Sequence, residues 1–327
     1  MAAAMVWSCA KQSEESTGEA LQQYIEAWAG EYYPDAAQTP LGAYIIEETE
    51  GTGVPVGDSL YVRVDYTTTS LDGTISATTY KKISKQLGTY VSYYYYGPTF
   101  WYRGEDQESL YAGLEEAVAD MKVGGHKKVL VPGWLLTTKR YDSKEKYISK
   151  TTSSSAIIYD FTILDAITDE EQWEKDSLAR YIALNYPDAV EDSIGGFYFI
   201  QNYIPDNAVK PTADSTVYAN YTGRRLDGIA FDSSIADTAK VYGFYNSNTT
   251  YSHQTINLND DDYTEITMGS SSSSIIDGFA YALSKMHYGE EATVIFWSGL
   301  GYSSTGSGNT IPAYCPLRFD ISIDEED

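Results

Sequence analysis

The chain has 327 residues, 43% of them hydrophobic, and its 22 basic against 47 acidic side chains give a formal charge of −25. A surface this negative, with no Lys/Arg stripe to offset it, repels phosphate backbones and anionic lipid, so nucleic acid is excluded as a partner. Two cysteines, Cys9 and Cys315, rule out a disulfide scaffold, and with no CxxC pair and three scattered histidines (His126, His253, His287) no metal or cofactor is expected.

In chain order, the small and apolar residues ending in Val6-Trp7-Ser8-Cys9 give way abruptly to Lys11, Gln12, Ser13, Glu14 and Glu15. The pattern resembles a bacterial lipoprotein signal. That resemblance implies a lipid on Cys9, a signal remnant and tether over residues 1–17, and an address in the bacterial cell envelope, periplasmic or displayed on the outer membrane. No other apolar run approaches ~20 residues, so membrane contact is expected through that anchor only.

Leu21, Tyr24, Ile25 and Trp28 follow at helical spacing, and Leu60, Val62, Val64 and Tyr66 alternate as a strand does. Asp72-Gly73 then supplies the positive φ of a tight hairpin. A second helix is predicted from the stripe Leu110, Leu114, Ala117, Val118 and Met121, with Gly124 to end it, before strands over 129–131 and 157–163. The same succession returns in the second half. Thr168-x-x-Glu171 predicts a capping box, Leu178, Tyr181 and Ile182 a helix, Val217, Ala219 and Tyr221 a strand, and Asp227-Gly228 a hairpin. Ile276, Phe279, Leu283, Met286 and Gly289 mark another helix, and strands are predicted over 292–297 and 317–323.

Residue identities repeat along with the pattern. Tyr33-Pro34-Asp35 returns as Tyr186-Pro187-Asp188 at an offset of 153, Leu71-Asp72-Gly73 as Leu226-Asp227-Gly228 at 155, and Tyr159-Asp160 as Phe319-Asp320 at 160. Ordered matches with a slowly drifting, domain-sized offset indicate tandem duplication. The predicted organisation is α+β, with one copy over 18–166 and a second over 167–327, each an antiparallel sheet wrapped on one short helix and preceded by an N-terminal helix.

In copy two, Tyr221-Thr222-Gly223, Leu226-Asp227-Gly228, Phe231-Asp232-Ser233-Ser234, Ile275-Ile276-Asp277-Gly278-Phe279, Gly299-Leu300-Gly301-Tyr302, Ile311-Pro312 and Leu317-Arg318-Phe319-Asp320 stand in order. Together they resemble the FKBP-type peptidyl-prolyl cis-trans isomerases, over about residues 205 to 323. The resemblance implies a pocket walled by Tyr221, Phe231, Phe279 and Phe319, with Ile276 on its floor and its backbone N–H holding a substrate carbonyl. It further implies that Tyr302 donates its hydroxyl to substrate, that Ile311 covers the proline's exposed edge, and that Asp232 accepts hydrogen bonds that orient the pocket. The implied substrates are proline-containing peptides or unfolded protein segments. Phe279 stands where the family most often has tryptophan, and the 235–274 stretch is far longer than the family's usual connection.

Copy one resembles the family more faintly, through Asp65-Tyr66-Thr67, Gly113-Leu114 and Tyr159-Asp160-Phe161. Thr74-Ile75-Ser76-Ala77 replaces the Phe-Asp segment, Leu114 replaces the pocket phenylalanine, and Lys139, Arg140, Lys144, Lys146 and Lys150 crowd the loop from 135 to 155. Copy one is therefore expected to keep the fold without catalysis. The 31 tyrosines suit a peptide- or glycan-binding surface as well as half-exposed strand positions. Two further readings accordingly stay open: a non-catalytic binding scaffold on the same fold, and a chaperone that holds clients through the 235–274 insertion.

Overall fold

The computed structural model describes residues 16–104, 109–153, 155–213, 215–258, 262–269 and 273–324, so Cys9 and the tether through Glu15 lie outside the described residues. The chain divides into two units, Met1–Tyr80 with Phe100–Thr168 and Lys81–Thr99 with Asp169–Asp327.

Unit 1 opens with α1 (Thr17–Tyr32), where Ser16 and Glu19 form a reciprocal capping box. Its buried stripe is Leu21, Ile25 and Ala29, whereas Tyr24, expected on that stripe, faces solvent. β1 (Ala37–Gln38), β2 (Tyr44–Thr49), β3 (Tyr61–Ser70) and β4 (Ile75–Thr78) follow. After α2 (Lys81–Gln86), which belongs to unit 2, come β5 (Thr99–Tyr102), α3 (Ala112–Val118), β6 (His126–Pro132), α4 (Lys144–Lys150) and β7 (Ala156–Ile167). α3 is shorter than the sequence stripe: Leu110 donates its N–H to the Tyr102 carbonyl ahead of the helix, and Met121 bonds back to Val118 in the turn behind it. The antiparallel sheet runs β1-β2-β6-β7-β3-β4, with β5 also on β3. Alternate residues of β3 (Val62, Val64), β6 (Val129, Val131) and β7 (Phe161, Ile163) are fully buried against Leu114 and Val118 of α3.

Unit 2 repeats this order with α5 (Glu170–Asn185), β8 (Phe197–Tyr203), β9 (Thr216–Arg225), β10 (Ala230–Ser233), α6 (Ala236–Tyr242), β11 (Gln254–Asn257), β12 (Thr267–Met268), β13 (Ser273–Ser274), α7 (Asp277–Lys285), β14 (Glu291–Phe296) and β15 (Leu317–Ile323). Its sheet order β13-β12-β11-β9-β15-β14-β8, with β10 on β9, contains the unit 1 succession β3-β7-β6-β2 as β9-β15-β14-β8. The hairpin glycines Gly73 and Gly228 carry φ of 87° and 84°, which only glycine adopts without strain. α5 is capped by Asp169, whose carboxylate accepts from the Gln172 N–H, rather than by Thr168 as the motif suggested.

The 235–274 insertion is built of short elements, and residues 81–99 depart from the sequence reading. α6 packs beside β10, and β11, β12 and β13 extend the sheet outward from β9, because Ile256 and Ile266 supply apolar faces to bury. Residues 81–99, read as part of copy one, pack with unit 2. The buried Arg225 guanidinium donates to the carbonyls of Tyr93 and Thr310 at 3.0 and 2.7 Å, and the Tyr95 N–H bonds the Asn309 carbonyl at 2.8 Å. An arginine buried on β9 must find several acceptors, and this segment's backbone provides some of them.

An ion pair ties the chain after α5 to α7: Asp192 accepts from Tyr281 Oη at 2.8 Å and pairs with Lys285 Nζ at 2.7 Å. Burial opposes ionisation of Asp192, but the bonds from Lys285, Tyr281 and the Ile194 N–H outweigh it and hold its carboxyl at about 2, below the ordinary 3.8. A carboxyl lowered in the folded state stabilises above its unfolded value and ceases to do so as pH falls through its folded one. Asp192→Asn is expected to flatten the stability profile between about pH 4 and pH 2, read by urea midpoints at stepped pH.

Candidate active site

The candidate site in unit 2 is a cavity of about 390 Å³ lined by Tyr221, Phe231, Asp232, Ile276, Phe279, Tyr302 and Phe319, with Met268, Ser274 and Ile275 from the insertion and its junction. Seven of the eight residues singled out in the sequence thus surround one space. Phe319 lies on β15 directly opposite Gly223 of β9, and Asp232 of β10 pairs with Gly223 from the other side. The β9–β10 register slips between Ala230 and Asp232, leaving Phe231 as the extra residue of a bulge. Such a bulge re-aims a side chain. A Cβ on Gly223 would lie 2.7 Å from the Phe231 ring and 2.9 Å from the Phe319 ring, so the glycine is what lets the two rings meet over the strand.

The rings interlock. Tyr221 and Phe319 lie 5.2 and 5.0 Å from Phe279 between centroids, and Phe231 meets Phe319 edge-on at 5.8 Å, spacings at which aromatic pairs attract beyond simple burial. Phe279 reaches the cavity from α7 because Gly278 allows the helix to sit on the Phe296 ring, 2.5 Å from where a Cβ would be. Ile276 is the N-cap residue of that helix.

Polarity is confined to one corner. Tyr221 Oη donates to Asp232 Oδ2 at 2.7 Å, and Asp232 Oδ1 accepts the Ser233 N–H at 2.8 Å. Burial, then the Asp232 charge and this bond, push the Tyr221 phenol above its usual range; burial and Asp232 do the same to Tyr302. Both phenols therefore stay protonated at neutral pH and serve as donors. Behind the wall, Glu174 of α5 accepts the Ser298 N–H at 2.6 Å and the Ser298 hydroxyl at 2.5 Å. The Ser298 carbonyl in turn holds the N–H groups of Gly301 and Ser303, which flank Tyr302.

Ile311 is the exception. It is 3% exposed, packed in the unit 2 core and bridged to Ser307, and it is not part of this lining. Its apolar side chain gains more from core burial than from an exposed rim. Met268, Gly223 and Glu174 were not foreseen; only Gly223 carried a signal, standing inside a strand pattern where close approach is the usual reason for glycine. Cys315 is buried and its thiol is pushed up to about 12 by desolvation, which keeps it an inert thiol. Among the described residues no group of three or more His, Cys, Asp or Glu side chains is placed to hold a metal ion, and no nucleophile–base pair lines the cavity. What the arrangement offers is an aromatic wall beside the Tyr302 hydroxyl and a Tyr221 hydroxyl committed to Asp232.

In unit 1 the bulge opposite Thr68 and Thr69 leaves Ser76 where unit 2 has Phe231, and Ala77 where it has Asp232. The Thr68 hydroxyl bonds the Ser76 hydroxyl at 2.9 Å and fills the space that Gly223 leaves open.

The residues around this site are similar to known proteins. The family model described as FKBP-type peptidyl-prolyl cis-trans isomerase matches residues 207–324. Peptidyl-prolyl cis-trans isomerase FKBP10 of Bos taurus is 24% identical over 268 residues, covering 82% of this chain and 34% of its own length. The macrophage infectivity potentiator of Trypanosoma cruzi is 29% identical over 113 residues, 35% of this chain and 44% of its own. The chain thus spans less than half the length of these relatives. A solved peptidyl-prolyl cis-trans isomerase of Pseudomonas syringae aligns with a TM-score of 0.33 at 22% identity, covering 47% of this chain and 92% of that one.

Proposed function

We propose, from the match of residues 207–324 to the FKBP-type peptidyl-prolyl cis-trans isomerase model, that unit 2 isomerises Xaa-Pro bonds of peptide or unfolded-protein segments in the Tyr221–Phe319 cavity. The observation that carries the proposal is the joining of a bulged Phe231, Phe279 and Phe319 to a phenol-bound Asp232 in one apolar space. Rotating the amide costs about 18–20 kcal/mol because resonance flattens it. A water-poor aromatic wall favours the twisted, less conjugated amide over the planar one, which is differential binding of the transition state. The prolyl ring lies against Phe231, Phe279 and Phe319, while Tyr302 donates to a substrate carbonyl and Asp232 fixes Tyr221. No proton changes hands.

Because both phenols are held protonated past their usual value of 10, the catalysed exchange is expected to stay level from pH 7 to pH 10. An NMR exchange profile with a limb falling well below pH 10 would contradict the assigned donors. In the full chain, Asp232→Ala frees the Tyr221 hydroxyl and should slow exchange by roughly tenfold, about 1.4 kcal/mol in the barrier; an unchanged rate would remove Asp232 from the site.

For the whole chain, the proposed setting is the bacterial cell envelope, with the protein held by a lipid on Cys9. The support is the Ser8-Cys9 junction and the polar switch after it. Intact mass from the native host tests this: a diacylglyceryl mass on a Cys9 N-terminus supports it, and an unmodified cysteine overturns it.

A further inference from the structure

The 135–155 loop of unit 1 carries five bases and two acids, the reverse of a chain in which acids outnumber bases 47 to 22. Part of that positive charge is already engaged. Arg140 donates to the Leu110 and Thr138 carbonyls at 2.9 Å, and Lys146 pairs with Asp142 at 3.0 Å. Lys139 and Lys150 differ: both are exposed, and neither has a carboxylate partner among the described residues. Both line one cavity of about 240 Å³ between the Gly133–Leu135 turn and the end of α4. It shares no lining residue with the space beside α3, lined by Trp101 and Leu114, that corresponds to the unit 2 pocket.

Exposed lysines alone make an ordinary solvated face; the hydroxyls around these two make a site. Tyr147, only 2% exposed, accepts the Tyr141 N–H at 3.0 Å. Thr137, Thr151 and Ser153 accept the N–H groups of Lys139, Ser153 and Ser155 at 3.2, 3.2 and 3.1 Å. A hydroxyl whose oxygen holds a backbone donor still has its own proton to give, and none of the four gives it to a described residue. The lining thus presents two ammonium groups, four donating hydroxyls and no carboxylate. Such a surface complements a ligand that only accepts. A carboxylate brings two oxygens, whereas a phosphate or sulfate group brings three or more and matches donors spread around a cavity. At about 240 Å³ the space is smaller than the ~300 Å³ at which drug-sized pockets begin, so the ligand is small. The net charge of −25 does not forbid it, because exposed carboxylates beyond a Debye length of about 8 Å are largely screened. We propose that this pocket of unit 1 binds a small tetrahedral oxyanion, phosphate or sulfate, free or as the ester of a small molecule, held by Lys139 and Lys150.

The test is NMR titration of the full chain at constant ionic strength with inorganic phosphate, sulfate, glucose 6-phosphate and acetate. The reporter is the Trp134 indole N–H, whose ring lines the pocket and which donates to the Leu41 carbonyl at 3.1 Å. Saturable shifts are expected with phosphate and sulfate. Tighter binding of glucose 6-phosphate would make an ester the ligand, and equal or weaker binding the free anion; both support the site. Lys139→Gln with Lys150→Gln, at exposed positions, should weaken binding at least roughly tenfold. Lys144→Gln with Lys146→Gln removes the same charge from the same loop outside the lining and should cost no more than about twofold. Shifts that do not saturate, acetate binding as tightly as phosphate, or equal losses from the two lysine pairs overturn the inference.

Discussion

Phe279→Ala is expected to destabilise unit 2 by about 3–5 kcal/mol, the usual cost of deleting a buried phenylalanine when its surroundings cannot collapse. The side chain is 3% exposed and in ring contact with both Tyr221 and Phe319. The strands carrying those two rings are paired with each other, so neither closes the gap without breaking register. Urea unfolding of the full chain should show the transition belonging to unit 2 displaced and that of unit 1 in place. Phe279→Trp is the informative partner. If the cavity has space for the larger ring, as the family's usual tryptophan implies, its stability stays within about 1–3 kcal/mol of the parent.

Glu174→Ala is the second large effect. Glu174 is 1% exposed and satisfies both the N–H and hydroxyl of Ser298. Deleting it strands a buried donor at a cost of about 1–3 kcal/mol and loosens the turn whose carbonyl holds the residues on either side of Tyr302. Exchange catalysis should therefore fall along with stability, and Glu174→Gln, which keeps an acceptor for the Ser298 N–H, should restore much of both. Desolvation raises the Glu174 carboxyl above its ordinary 4.5, against the lowering pull of Ser298 and Lys175. A carboxyl raised in the folded state contributes fully below its unfolded value and loses that contribution as pH rises through the folded one. The parent should lose this increment as pH climbs above about 4.5, and the alanine variant should not; stability midpoints at pH 4 and pH 7 check the sign.

The duplicated fold was legible because its signals are local and were repeated: two Asp-Gly hairpins and two sets of alternating apolar residues at nearly constant offset. The pocket was legible for a different reason. Its residues come in short ordered motifs, and seven of them surround one cavity. Ile311 lies outside the lining because a two-residue motif does not reveal which way a loop turns, and here the side chain packs into the core. Residues 81–99 were misread because their partners are remote. Arg225 reads in sequence as an ordinary charge on a strand, and only the folded sheet shows that it needs the Tyr93 carbonyl. Glu174 was hidden as one acid among 47; only comparison with Leu21, its counterpart in α1, hints that a buried position has changed character.

The central claim is that the unit 2 cavity turns over prolyl bonds. It is tested most directly by cis/trans exchange NMR of a short Xaa-Pro peptide with the full chain, its Phe231→Ala variant and its Trp101→Ala variant. Uncatalysed exchange takes tens to hundreds of seconds, so even weak catalysis registers. The account predicts acceleration by the parent, a loss of roughly tenfold or more with Phe231→Ala, and the parent rate with Trp101→Ala. No acceleration by the parent, or acceleration that survives Phe231→Ala and disappears with Trp101→Ala, would contradict it.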